Sequence, residues 1–303
     1  MKKPTVTIAI CACNEGANIG QLLSSIMEQK CEGFELKKIL FISDGSTDKT
    51  VEIVKSFNSG KLDLRDYKKR MGKSYRLNEI YADVDSDFIV QPDADVILAN
   101  EDVLWEIVRP MVEDEKVGIT GGNSNPMEPE TLLEKAVKTT SDAYKEMQIS
   151  FHKGNNIYTA TGRLIAMRKK AYKNLEVPRH TISNDHFVYF NCITRGFSYR
   201  YASGAKVYFR LPQTLKDHLS QETRFASAEK FMKLFYPPAV VDREYFVPPG
   251  LRTKAMFTEV IKHPFLSAAA FLLNRYCQFR AAFTKTGVNS LWEIVYSTKR
   301  LKK

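Results

Sequence analysis

"MKKPTVTIAICACNEG", residues 1–16, can be read in two ways, and the choice decides the fold. Two lysines before an apolar stretch imitate a secretory signal, but Thr7 interrupts the stretch and Asn14-Glu15 stand where a small-residue cleavage site belongs. The better reading is a first β-strand, TVTIAICA (5–12), closed by the polar turn CNEGAN (13–18) and followed by helical periodicity over 18–29. The order repeats with KKILFIS (37–43), the turn SDGSTDKT (43–50) and a helical stretch at 48–57. A third cycle runs from helix-like KSYRLNEIYADV (73–84) to a strand at DFIVQ (87–91), with a helix at about 101–113 and a strand at KVGIT (116–120) behind it. Such alternation predicts an α/β fold with a mainly parallel sheet flanked by helices, which binds ligands outside the carboxyl ends of its strands.

That geography separates two acidic clusters of the same D-x-D spacing. Asp83, Asp85 and Asp87 fall between a helix and the next strand, at the sheet's amino edge. Asp93 and Asp95, in VQPDADV (90–96), leave the carboxyl edge, where the ligand crevice opens. The turns after the first two strands bring Glu15, Asp44 and Asp48 to that edge; taken singly, each acid also suits a turn or a helix cap.

Further along, TGRLIAMRKKAY (161–172) reads as a glycine turn, a strand and a helix start. SNDHFVYFNCITRGF (183–197) reads as a capped helix with Asp185 in its first turn, AKVYFRL (205–211) as a strand, and 215–235 as a helix. YPPAVVDREYFVPPG (236–250), with two Pro-Pro pairs, marks the best boundary, and helix-like basic segments follow at about 251–262, 265–283 and 290–300.

The chain has 303 residues, 44% of them hydrophobic and 26% charged, enough for one large or two modest domains. Its five cysteines (11, 13, 31, 192, 277) are scattered, without zinc or disulfide spacing, and fit a reducing compartment, so a cytoplasmic location is expected. Residues 200–303 carry 18 Lys and Arg against 7 Asp and Glu, a net +11 in a chain whose total is +10. Such a block suits an anionic partner or a solvated basic face. PFLSAAAFLL (264–273) is too short to span a bilayer. Leu272, Leu273, Tyr276, Phe279 and Phe283 share a helical face beside Arg275 and Arg280, which suits a helix lying in a membrane interface or one packed on the core.

Six segments in order, CACNEGANI, SDGSTDKT, GKSYRLNE (72–79), PDADV, SNDH and QETRF (221–225), resemble the inverting nucleotide-sugar glycosyltransferases of family two with the GT-A fold, over about 5–225. The resemblance implies a catalytic domain over 1–235, its nucleotide-binding half about 1–125 and its acceptor half about 126–235. The remaining 236–303, read from its Pro-Pro pairs and its basic, aromatic pattern, is a Pro-rich linker and a helical region that either associates peripherally with the cytoplasmic face of the membrane or packs on the core. The resemblance implies transfer of a hexose or N-acetylhexosamine from a UDP-sugar to a glycan or lipid-linked acceptor, with Mn²⁺ or Mg²⁺, whose hard oxygen ligands would bridge protein and diphosphate. By resemblance Asp95 ligates the metal, and Asp93 contacts the ribose or shares the metal. Ala12 and Glu15 border the nucleoside, Asp44 accepts from the pyrimidine N–H, and Lys73 reaches the nucleotide or its phosphates. Gly162 lets the transferred sugar approach the backbone. Asp185 is the general base, Arg224 offers the diphosphate a forked donor, and Gln221 one helical turn earlier supports it.

Two positions depart from the family pattern. Asn184 replaces the usual Glu before the catalytic Asp, and Phe225 replaces the Trp of Q-x-x-R-W. The second points away from a processive polymer synthase, and both keep open a degenerate protein that binds donor without transferring it. A dehydrogenase is excluded by the missing G-x-G-x-x-G, and a nucleotidyltransferase by the single glycine of CNEGAN. A nucleic-acid binder would explain the basic tail but not the acids, so no nucleic acid is expected as partner.

Overall fold

The structure, a computed structural model, describes residues 2–179, 181–283 and 301. Its strands are β1 (Thr5–Ala12), β2 (Glu35–Asp44), β3 (Leu62–Tyr67), β4 (Phe88–Pro92), β5 (Val96–Leu98), β6 (Val117–Pro126), β7 (Leu164–Arg168) and β8 (Ser198–Phe209). The helices are α1 (Ile19–Met27), α2 (Thr50–Ser56), α3 (Lys73–Asp83), α4 (Val103–Glu113), α5 (Leu132–Ser150) and α6 (Lys169–Tyr172). There follow α7 (Asn184–Thr194), α8 (Leu215–Met232), α9 (Pro238–Tyr245), α10 (Pro249–Lys262) and α11 (Pro264–Phe283). The helix expected at about 290–300 lies outside the described residues.

The strands form one sheet in the order β3-β2-β1-β4-β7-β6-β8-β5. β3, β2, β1 and β4 run parallel, and β7 enters antiparallel between β4 and β6. β1 is the switch point, since the chain moves outward to β2 on one side and returns to β4 on the other. Turns leaving β1 and β4 therefore flank the crevice, as doubly wound sheets require.

The period-2 pattern of β1 splits the core. Val6, Ile8 and Ile10 join a cluster with Ile19, Leu22, Leu23 and Ile26 of α1 and with Val103, Leu104, Ile107 and Val108 of α4. Ala9 faces the other side, packed with Leu77, Ile80 and Tyr81 of α3 and Phe187 and Val188 of α7. The helical residues recur three and four apart, the spacing that puts them on one face.

Several elements differ from the sequence expectation, β5 and α9 among them, which were not anticipated. β3 was not anticipated: LDLRDY is an edge strand half-buried along its length, so it lacks an apolar run. β8 begins at Ser198 rather than 205, and small residues from Ala202 to Ala205 sit where its register against β6 shifts, a bulge that hides the strand's continuity. α5, not anticipated, starts on a capping box in which Thr131 Oγ1 accepts from Glu134 N and Glu134 returns a bond to Thr131 N.

The link from β4 to β5 bends the sheet. From Pro92 to Val96 the chain spans at most about 14 Å, whereas β4 and β5 stand four places apart in sheet order, about 19 Å in a flat sheet. The sheet therefore curls, and Asp93, Ala94 and Asp95 form the tight link across its mouth.

The upstream acids serve the scaffold at the opposite edge. Asp87 accepts from Thr5 N at 2.8 Å and Thr5 Oγ1 at 2.7 Å. Asp83 pairs with Arg65 at 2.7 Å, and Asp85 with Lys169 at 2.7 Å. In the C-terminal third α9 packs on α8 and α7, and α10 and α11 lie on α5, burying Ala255, Glu259, Ala270 and Cys277. No helix among the described residues is long and apolar enough to cross a membrane.

Candidate active site

At the carboxyl edge a cleft opens between β1, β4 and β7 on one side and α3 and α7 on the other, lined by Lys73, Asp93, Gly162, Asn184 and Asp185 among others. Gly162 touches both of its acids. Its amide donates to Asp185 Oδ2 at 3.0 Å, and a Cβ added to it would lie 3.4 Å from Asp93 Oδ2 and 3.7 Å from Lys73 Nζ. The two carboxylates, 92 positions apart in sequence, thus face one another across a single glycine.

Asp185 sits in the first turn of α7, as the capped-helix reading placed it. Oδ1 accepts from His186 N at 3.0 Å and from the Ser183 hydroxyl. Burial alone would raise its pKa, but the His186 ring, the Ser183 hydroxyl and the Gly162 and His186 amides outweigh burial and hold it below the usual carboxylate value. Burial also pushes His186 below the ordinary imidazole value, with Asp185 pulling the other way.

Asp93 is ion-paired with Lys73, the first residue of α3. Burial works against the ammonium, yet the Asp93 charge and hydrogen bond raise its pKa and keep it protonated. Asp95, half-buried in the same link, is felt together with Asp93 and Asp185 by Arg163, whose guanidinium lies 3.6 Å over the Phe209 ring. Asp95 and Asp185 thus both act on the Arg163 guanidinium, although Asp95 itself does not line the cleft. Arg163 was not anticipated, although its place directly after Gly162 was a usable signal. Asn184 was noted only as a departure; its Oδ1 accepts from Ser74 Oγ at 2.8 Å, joining α7 to α3. Asn184 Nδ2 and Gln91 Nε2 line the cleft as buried donors with no protein acceptor among the described residues, so the floor offers hydrogen bonds to an oxygen-rich ligand. Cys11 also lines it, but burial pushes the thiol up to about 12, so it is no thiolate at neutral pH.

The two first turns are stitched together beside the cleft. Thr47 N donates to Asn14 Oδ1 at 2.7 Å, Glu15 N to Thr50 Oγ1 at 2.8 Å, and Gly16 N to Asp48 Oδ2 at 2.9 Å. Asp48 is thus a turn-former. Ala12 is buried at the end of β1, and the half-buried Glu15 accepts from Asn18 Nδ2 at 3.2 Å.

Asp44, expected to meet the base, is anchored at the end of β2 by bonds within the protein. It is 4% exposed, and its oxygens accept from Met71 N at 2.9 Å, Gly72 N at 2.7 Å and Arg76 Nε at 2.7 Å. The buried Arg76 guanidinium needs that counter-charge. The turn tolerates only glycine next to it, since a Cβ on Gly45, at φ +72°, would meet Arg70 N at 2.9 Å. Gln221 and Arg224 lie on α8 and, like Asp95, do not line the cleft. The α8 helix turns to α7, α9 and α11, a packing that spacing within the helix could not reveal.

The donor set fits a divalent cation held jointly with a ligand. Among the described residues no three His, Cys, Asp or Glu side chains form a complete cage. Asp93 and Asp95 offer the one or two hard oxygens that Mg²⁺-type sites combine with phosphate oxygens and water.

A model of glycosyl transferase family 2 matches residues 7–176, more than half of the chain. The chain belongs to glycosyl transferase family 2. Its fold is GT-A. The poly-β-1,6-N-acetyl-D-glucosamine synthase of Staphylococcus aureus is 25% identical over 228 residues, covering 73% of this chain and 53% of that protein. The Staphylococcus epidermidis synthase is 23% identical over 238 residues, covering 77% and 57%. This family 2 chain thus spans about half the length of the curated relatives it matches. Among solved structures, a mannosyltransferase from Pyrobaculum calidifontis in complex with GDP-Man and Mn²⁺ aligns at TM-score 0.59 and 16% identity, over 95% of this chain and 78% of that one. S. aureus TarS 1–349 aligns at 0.57 and 16%, over 88% and 74%. These likenesses show the fold. The family model ends before α7, so Asp185 lies beyond the matched segment.

Proposed function

We propose that this glycosyltransferase moves a hexose or N-acetylhexosamine from a UDP-sugar to a hydroxyl of a glycan or lipid-linked acceptor, in one non-processive displacement that inverts the anomeric carbon. The observation that carries the reading is Gly162, whose amide binds Asp185 while its open side faces Asp93 and Lys73. One glycine thereby spaces a phosphate-side acid from an acceptor-side acid.

In this reading Asp95, with Asp93, would hold Mn²⁺ or Mg²⁺, and the ion when bound supplies charge neutralisation at the diphosphate. Lys73 and Arg163 lie at the same acids and add positive charge there. Asp93 exchanges its Lys73 partner for the donor, by its ribose or through the ion, and Lys73 is freed to meet the nucleotide. Ala12 and Glu15 border the nucleoside, and Asp44 orders the 69–72 segment beneath it. Asp185 takes the proton of the acceptor hydroxyl, which general-base catalysis makes worth about 10²–10⁴-fold. Its lowered pKa keeps the carboxylate ionised at neutral pH. Attack then comes from the face opposite the diphosphate. Support for UDP comes from solved relatives of like fold, one of them TarS with UDP at TM-score 0.52.

The α10–α11 surface supports an anionic membrane as partner, which would make the protein peripheral. Phe257, Ile261, Phe265, Leu272 and Phe279 are exposed on it, Phe265 at 89%. The charges of these helices are Arg252, Lys254, Lys262, Arg275 and Arg280 against one buried acid, Glu259.

The deciding experiment is nucleoside-diphosphate release across a panel of UDP- and GDP-sugars, with Mn²⁺, Mg²⁺ or chelator. Release with a UDP-sugar, abolished by chelator, is expected. Donor binding without release under any condition would leave the degenerate binder as the function.

A further inference from the structure

Asp185 is held from behind by an element far away in sequence. Its Oδ1 accepts from His186 N at 3.0 Å, and the His186 ring turns away from the cleft floor to place Nδ1 2.6 Å from the Tyr245 hydroxyl, at the last residue of α9. Tyr245 is fixed in turn. Its backbone oxygen accepts from Tyr158 Oη at 2.5 Å, and its ring stands edge-on to Tyr158 and His186, with centroids 6.1 and 5.6 Å away. The residue thus reaches from the Pro-bounded segment 236–250 to the back of the carboxylate.

We propose that Tyr245 is a positioning residue for Asp185: its O–H donates to His186 Nδ1, fixes the neutral Nε2–H tautomer, and so holds the first turn of α7 in place. The proposal rests on the reading of Asp185 as the base. The chemistry is consistent on each side. Burial, reinforced by the Asp185 charge, raises the Tyr245 phenol, which therefore stays protonated and able to donate. A donor on Nδ1 stabilises the uncharged ring, and the other nitrogen then carries the proton. Among the described residues, the titratable groups facing the ring are Asp185 from α7 and Tyr245 from α9. A charged imidazole beside Asp185 would draw its lone pairs and weaken it as a base.

The test compares Tyr245→Phe with Tyr189→Phe in the full chain. Tyr189 also ties α7 to α9, donating to Glu244 Oε2 at 2.7 Å, but acts as a docking contact without touching His186. Histidine NMR reads the tautomer and titration of His186, one of five histidines. We expect wild type and Tyr189→Phe to show the Nε2–H tautomer titrating below 6.5. Tyr245→Phe should show mixed tautomers and a midpoint moved toward the ordinary value. In turnover, Tyr245→Phe should lose about 10-fold in kcat with donor KM unchanged, the signature of a transition-state contribution. An unchanged His186 spectrum in Tyr245→Phe, or equal losses in both variants, overturns the proposal. If wild type turns over no donor, the functional reading fails, while the spectra still decide whether Tyr245 sets the tautomer.

Discussion

Replacing Gly162 by alanine separates a functional glycine from a structural one. The backbone at 162 does not require glycine, and the new methyl would lie 3.4 and 3.6 Å from the Asp93 oxygens and 3.7 Å from Lys73 Nζ, ordinary van der Waals distances. The protein without donor therefore accommodates it. Losing glycine's freedom in the unfolded chain should add about 0.4–1 kcal/mol of stability, a rise in Tm of about 1–4 °C. The methyl nevertheless occupies the gap between Asp93 and Asp185. A sugar whose reacting atoms must come within about 3–3.5 Å is displaced by about 1 Å, a misplacement worth about 10²-fold. Thermal unfolding and nucleoside-diphosphate release on the same preparation read both effects. Unchanged kcat/KM at raised Tm would refute the claim that sugar and acids meet at this glycine.

Other expectations follow from the same geometry. Asp185→Asn should lower kcat by about 10²–10⁴-fold with donor affinity intact, measured by turnover and calorimetry; near-normal turnover would remove it as base, and a retained anomeric configuration in the wild-type product would refute the single displacement. Arg210→Met strands the buried Glu134, whose Oε1 lies 3.1 Å from the guanidinium, and should cost about 3–5 kcal/mol in denaturant unfolding; adding Glu134→Gln should restore part of it, and no recovery would show that the charge is not the cause. Phosphatidylglycerol vesicles should pellet the full chain better than neutral ones do, and Phe257→Ser/Phe265→Ser/Phe271→Ser should abolish pelleting, because each phenylalanine contributes about 1.5–3 kcal/mol on burial. Equal pelleting of the two proteins would remove that surface as the membrane contact.

The alternating sheet and the carboxyl-edge position of Asp93 and Asp95 were legible because they rest on local periodicity. Period-2 apolar runs specify strands, and strand polarity specifies which turn meets the crevice. The same reasoning assigned Asp83, Asp85 and Asp87 to the opposite edge, where they pair with Arg65, Lys169 and Thr5. It failed where the signal was not local. β3 is a polar edge strand, β8 is interrupted by small residues at a bulge, and α8 carries Gln221 and Arg224 on a helix whose docking depends on α7, α9 and α11. Asp44 has a partner that spacing did not disclose, the buried Arg76.

By itself, then, the chain's pattern of apolar and acidic residues determined the sheet, its direction and the edge at which acids gather, because hydrophobic burial acts on near neighbours in sequence. Only the tertiary structure decided which acids share a site. The curl of the sheet carries Asp95 toward Arg163, Gly162 joins Asp93 to Asp185, and Tyr245 arrives from α9 behind the carboxylate. Those contacts bridge scores of residues, and what selects them is the pairing of buried charge and hydrogen-bond donors, which no window of sequence contains.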